Sequence, residues 1–122
     1  MRARGQRLLG AHGDPTTRDI VQHLSATGAY LGRVGAPGSG STRLQQGWDV
    51  EVFDNYVFVS DATANTIKIW TKQGVFVTAY GGGGTALGRF QAPKGMDMTP
   101  DGRLYVVEHS GERVQELLVV PT

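Results

Sequence analysis

Residues 88–120, GRFQAPKGMDMTPDGRLYVVEHSGERVQELLVV, decide the reading of this chain, because an earlier stretch repeats them. Residues 47–70, GWDVEVFDNYVFVSDATANTIKIW, align beneath residues 95–117, with Gly47 on Gly95 and Asp49 on Asp97, 48 positions apart. At that offset the apolar run at 57–59 falls on 105–107. A second piece recurs with a period of 46, since GAYLGRVG at 28–35 is echoed by GVFVTAYG at 74–81. Periods of roughly 20–50 residues mark repeat architectures in which one supersecondary unit is stacked several times.

The repeated unit reads as β-structure. Residues 50–53 and 96–99 are short strands, each followed by a tight turn, Asp54-Asn55 in one copy and Pro100-Asp101-Gly102 in the other. The runs at 56–59 and 104–107 are apolar without alternation, which predicts strands covered on both faces. Residues 20–24, a turn at 26–28 and residues 29–34 form a hairpin, repeated as 67–70, 72–74 and 75–80. Within 75–80, strict alternation puts Phe76, Thr78 and Tyr80 on one face and Val75, Val77 and Ala79 on the other. Glycines at 28, 32, 74 and 81 argue against helices there.

These residues resemble the NHL repeat of the β-propeller class. The likeness rests on Phe90, Gln91, Ala92, Pro93, Lys94 and Gly95, then Asp97, Asp101-Gly102, the run at 104–107 and Val114. The middle copy adds Val59, Ser60, Asp61, Asn65 and Ile67, then Gly74, Phe76 and Gly81. The resemblance implies an all-β fold, a β-propeller segment of four-stranded antiparallel blades. It divides the chain into an N-terminal segment at 1–19 holding one strand at Leu8-Leu9, and the outer strands of a first blade at 20–46. A complete blade follows at 47–87, and a third lacking its outer strand at 88–122. His109 stands where the pattern has an Asp, and the loop after it is one residue shorter than the loop after Asp61.

Length adds an expectation. A closed ring needs at least four blades of roughly 40 residues, about 160 in all, and this chain has 122. It is therefore expected to assemble with other copies or partners, or to be one piece of a longer propeller. The apolar terminal edge Leu117, Leu118, Val119 and Val120, with Leu8 and Leu9 at the other end, is the expected assembly surface.

Formal net charge is +1, from 12 Lys+Arg and 11 Asp+Glu, so no overall field favours nucleic acid or anionic membrane. The arginines at 2, 4, 7 and 18 read as a solvated basic end. With no cysteine there is no disulfide framework or thiol chemistry, and no run approaches a membrane span of ~20 residues. No signal-peptide core is evident, and compartment is not specified. The glycine-rich stretches at 35–42 and 81–88 are followed by neither a helix pattern nor a Lys-Ser or Lys-Thr pair, so they read as crossings between blades rather than phosphate cradles.

Concentrated chemistry is sparse. Resemblance to six-bladed lyases and lactonases implies a cation site, calcium or another divalent ion, for which Asp49, Asp97 and His109 are the candidate ligands, with Glu108 nearby. Against that, an aspartate recurring in each blade reads as a hydrogen-bonding fixture of the blade. Trp48, Trp70, Tyr80 and Phe90 would serve either as stacking platforms, as in RNA-binding relatives, or as core. No catalytic residue and no required cofactor are expected. The expected function is a non-catalytic module for protein binding or self-assembly, with a metal-dependent lyase- or lactonase-like subunit as the alternative.

Overall fold

The computed structural model describes residues 6–11, 20–34 and 43–119. Among these, ten strands and no helix form three antiparallel sheets, as the all-β reading expected. The first sheet holds β1 (Gln6–Ala11), β2 (Ile20–Ser25) and β3 (Tyr30–Val34) in that order. The middle sheet runs β4 (Gly47–Phe53), β5 (Tyr56–Asp61), β6 (Thr66–Thr71), β7 (Phe76–Gly81). The last holds β8 (Pro93–Met98), β9 (Arg103–Glu108) and β10 (Arg113–Leu118). Leu8 and Leu9 do lie in a strand, opposite His23 and Gln22.

Strand pairing corrects the alignment of the repeats. Gly47 opposes Asp61 and Val50 opposes Val59, while Pro93 opposes Glu108 and Met96 opposes Val106. Gly47 thus corresponds to Pro93 and Asp61 to Glu108. The offset is 46 through the first strand of the unit and 47 from the second onward. The extra residue sits in the hairpin turn. Phe53 pairs with Tyr56 across two residues, whereas Thr99 bonds Arg103 across three. Asp97 therefore corresponds to Glu51, and Asp49 to Gly95. The loops after Asp61 and after Glu108 are equally long, four residues each.

One turn recurs in all three sheets. At Ser25-Gly28, Thr71-Gly74 and Thr99-Gly102 the glycine N–H donates to the carbonyl three residues back. The hydroxyl accepts the N–H four residues on, from Ala29 (3.0 Å), Val75 (3.1 Å) and Arg103 (2.9 Å). The glycines lie at φ +93°, +94° and +90°, where a side chain would be strained.

Two apolar layers separate the sheets. Val21, Leu44, Val50, Val57, Val59 and Trp70 fill the space between first and middle, and Phe58, Ile67, Phe90, Met96, Leu104 and Val106 that between middle and last. β5 feeds both layers, as its unbroken apolar run predicts. β9 does not: Leu104 and Val106 are buried, but Val107 is 46% exposed. Both-face burial needs a sheet on each side, and among the described residues β9 has one on one side only.

A β-bulge also breaks the expected face-sharing in β7. Pairing shifts between Ile69 and Trp70, so Phe76 packs edge-on against Trp70 in the first layer. Tyr80, beyond the bulge, meets Phe90 on the opposite face. The same shift recurs between His23 and Leu24 in the first sheet, 46 residues earlier.

Gly81 shows how closely the crossing approaches the core. It lies at φ +106°, and a Cβ there would stand 2.5 Å from the Phe90 ring. Gly81→Ala is expected to cost about 1–3 kcal/mol. A urea midpoint unchanged from that of the parent would contradict this.

Candidate functional site

The expected cation ligands do not come together. Asp49 is spent on backbone: one carboxylate oxygen accepts from its neighbour Val50 N and the other from Met96 N, each at 2.8 Å. Asp97 is exposed on β8, opposite Tyr105. His109 is exposed in the turn after β9, its N–H bonded to Ala92 O. From the level of Ala92 to Asp97 is roughly 15 Å along the strand. Among the described residues no three His, Asp or Glu side chains are grouped to hold a metal. Of the aromatics, Trp70 and Phe90 are core, while Tyr80 and Trp48 are exposed, the latter beneath the Lys94 ammonium at 4.3 Å.

Side chains of the middle sheet instead bind the inner edge of the last. Asn65 Oδ1 accepts from Ala92 N (2.8 Å), Ser60 Oγ donates to Lys94 O (2.6 Å), Asp49 Oδ2 accepts from Met96 N, and Glu51 Oε1 accepts from Met98 N (3.1 Å). These contacts fall on every second residue from 92 to 98. An edge strand presents its polar groups at that spacing, so four side chains replace the hydrogen bonds of a neighbouring strand. Ser60, buried and also accepting from Asp49 N, bridges the two sheets.

A second device repeats within the sheets. Asp61 accepts from Gln45 N (2.9 Å), Gln46 N (3.1 Å) and Ala64 N (3.1 Å), and pairs with Lys68 Nζ at 3.0 Å, where both side chains are buried. Lys68 in turn donates to Arg43 O. In the last sheet Glu108 accepts from Gln91 N and Gln115 Nε2, both at 2.9 Å, and from Arg113 Nε. Gln115 also donates to Arg89 O at 2.7 Å. Glu108, not His109, therefore takes the part of Asp61, and His109 corresponds to Ala62, whose N–H bonds Gln46 O in the same way. Each carboxylate pins the lead-in that buries Leu44 or Phe90. The legible signal was a spacing of seven, Asp61 to Lys68 and Glu108 to Gln115.

Burial pushes both carboxyls up, but their donors outweigh it and hold each below its ordinary value. The donors are the Gln45 and Ala64 amides and Lys68 for Asp61, and Arg113, Gln115 and the Gln91 amide for Glu108. The unfolded chain therefore takes up these protons first as pH falls. The stability they confer is complete above the ordinary values, 3.8 for Asp61 and 4.5 for Glu108, and is lost progressively below them. Melting temperature should be nearly flat from ~pH 7 to ~pH 5 and fall steeply below ~pH 4. A decline centred near pH 6 would point to other groups.

At the outer edge, no described strand pairs with β10 on the side away from β9. Leu118 is 67% exposed there, and Leu117 and Val119 are half-buried. Val120, and the side chains of Leu8 and Leu9, lie outside the described residues. Beside β10 an open cavity of about 230 Å³ is lined on one wall by Phe58, Ile67, Ile69, Thr78 and Tyr80 and on the other by residues of the last sheet, Leu117 among them. Among the described residues no helix is long and apolar enough to cross a membrane.

No protein-family model matches the chain, and none of the curated proteins matches it.

Proposed function

We propose that the chain is a non-catalytic, NHL-like propeller module for protein binding or self-assembly, whose three sheets are successive blades completed by other copies or partners. One observation carries this reading: the unit repeats across the sheets but, among the described residues, is complete only in the middle one. The β2–β3 hairpin has the turn and the bulge of β6–β7, so the first sheet holds the second, third and fourth strands of the unit. The last holds the first three. Among the described residues β1 and β10 thus each carry an unpaired edge, which supports completion by another copy, a partner or a further stretch of a longer propeller.

No observation favours the metal-dependent alternative, since the Asp49 oxygens are engaged by backbone amides. Size-exclusion chromatography with light scattering at micromolar concentration tests self-assembly. Several copies per particle are expected, with Leu118→Lys shifting the population towards monomer. A stable monomer that also captures no partner would overturn the reading.

A further inference from the structure

Both outer strands turn an apolar side chain outward at a bulge. In β3 the pairing passes from Gly32 opposite His23 to Tyr30 opposite Leu24, which leaves Leu31 as the extra residue. In β7 it passes from Thr78 opposite Ile69 to Phe76 opposite Trp70, which leaves Val77, 46 positions on. A bulge re-aims the side chain of the residue it inserts. Leu31 is 52% exposed and Val77 47% exposed. β7 is the fourth strand of the middle sheet, which has a described sheet on each side, so stacking a further sheet of the repeat would not cover this rim.

The two rims adjoin. A Cβ on Gly74, in the turn before β7, would stand 3.3 Å from the Arg33 carbonyl of β3. Val75, 63% exposed, follows that contact directly. Leu31 lies about 7 Å from it along β3. Leu31, Val75 and Val77 thus border one seam between the first and middle sheets. Only cations accompany it. Residues 20–48 and 62–96, which hold both outer hairpins, contain no Asp or Glu. Arg33, exposed, and Lys72, half-buried, belong to the two segments in contact, and neither forms an ion pair among the described residues.

We infer that this seam docks an acidic amphipathic helix of a partner protein, its apolar stripe on Leu31, Val75 and Val77 and its carboxylates at Arg33 and Lys72. The inference deepens the protein-binding reading and rests on it. A bulged edge resists the addition of a strand, so side chains rather than main chain make the contact. Val75 and Val77 lie about 7 Å apart along β7, close to the ~5–6 Å between side chains four apart on a helix face. Helix-in-groove recognition reads anchors of that spacing. The charge pattern selects carboxylates on the partner. A second copy is the poorer occupant, because no helix occurs among the described residues. An anionic bilayer is poorer too, since two cations and three aliphatic side chains are too few to hold a membrane surface.

The test uses the full chain and a labelled synthetic peptide of about 18 residues, long enough to fold as a helix, with Leu at i, i+3, i+4 and i+7 and Glu and Ala elsewhere. Fluorescence anisotropy should show saturable binding that weakens at least about tenfold with Val77→Asp, and similarly with Lys72→Glu. Leu87→Asp, at an 89% exposed position outside the seam, should leave binding unchanged. Replacing every Glu of the peptide by Lys should abolish binding. Circular dichroism checks the fold of each variant; should Val77→Asp not fold, Lys72→Glu and the basic peptide decide. No saturable binding, equal binding of the basic peptide, an equal loss with Leu87→Asp, or displacement of the peptide by phosphatidylserine vesicles would overturn the proposal. Light scattering keeps the two readings apart. Oligomers that fail to bind the peptide refute this site and leave the module standing, whereas a monomer that binds it upholds the site and removes self-assembly.

Discussion

Asp61→Ala is expected to destabilise the chain by about 3–5 kcal/mol, lowering the melting temperature by roughly 10–20 °C. The loss is large for two reasons acting on one spot. Lys68, with only 2% of its side chain exposed, would lose the carboxylate that stands 3.0 Å from its ammonium, and breaking a buried pair costs more than the pair contributed. The amides of Gln45, Gln46 and Ala64 would lose their acceptor as well. The last sheet offers a control, since it does the same work with Glu108 and Gln115. Asp61→Glu combined with Lys68→Gln should recover a good part of the loss. A single alanine mutant within about 1 kcal/mol of the parent in urea unfolding would show that the pin is ornamental.

Val106→Asp should cost about 4 kcal/mol or more, and should act on one end of the molecule first. Val106 is fully buried in the layer between middle and last sheets, and the new carboxylate would find a wall of Phe58, Ile67 and Leu104 around it. Hydrogen exchange should accelerate in β8, β9 and β10 while the layer around Trp70 keeps its protection. Its neighbour makes the comparison sharp. Val107 points to the uncovered face, so Val107→Asp should change stability by less than about 1 kcal/mol. Equal effects at the two positions would contradict the one-sided burial of β9.

Much of the fold was legible. Glycine-punctuated runs of β-branched and aromatic residues give strands, and the strands at 56–61, 66–71 and 103–108 fall where the apolar runs place them. The correspondence of the copies was not. Matching Gly47 to Gly95 and Asp49 to Asp97 aligned like residues, but the turns at 54–55 and 100–102 differ by one residue. That single residue moved the acidic partner from His109's position to Glu108. The cation candidates are likewise separated: Asp49 and Asp97 are not equivalent, and Asp49 accepts from two backbone amides.

By itself the sequence determined the local content of this protein: β-strands, their turns and a unit repeated at about 46 residues, because alternation, β-branching and glycine act between neighbours along the chain. Only the tertiary structure decided which residues meet. Bulges at Ile69/Trp70 and His23/Leu24 reverse side-chain parity, so whether Phe76 and Tyr80 face the same layer depends on pairing with another strand. Likewise the cross-sheet bonds of Asn65, Ser60, Asp49 and Glu51 join residues 27 to 47 positions apart. Contacts over such separations are set by packing between sheets, which no local pattern encodes.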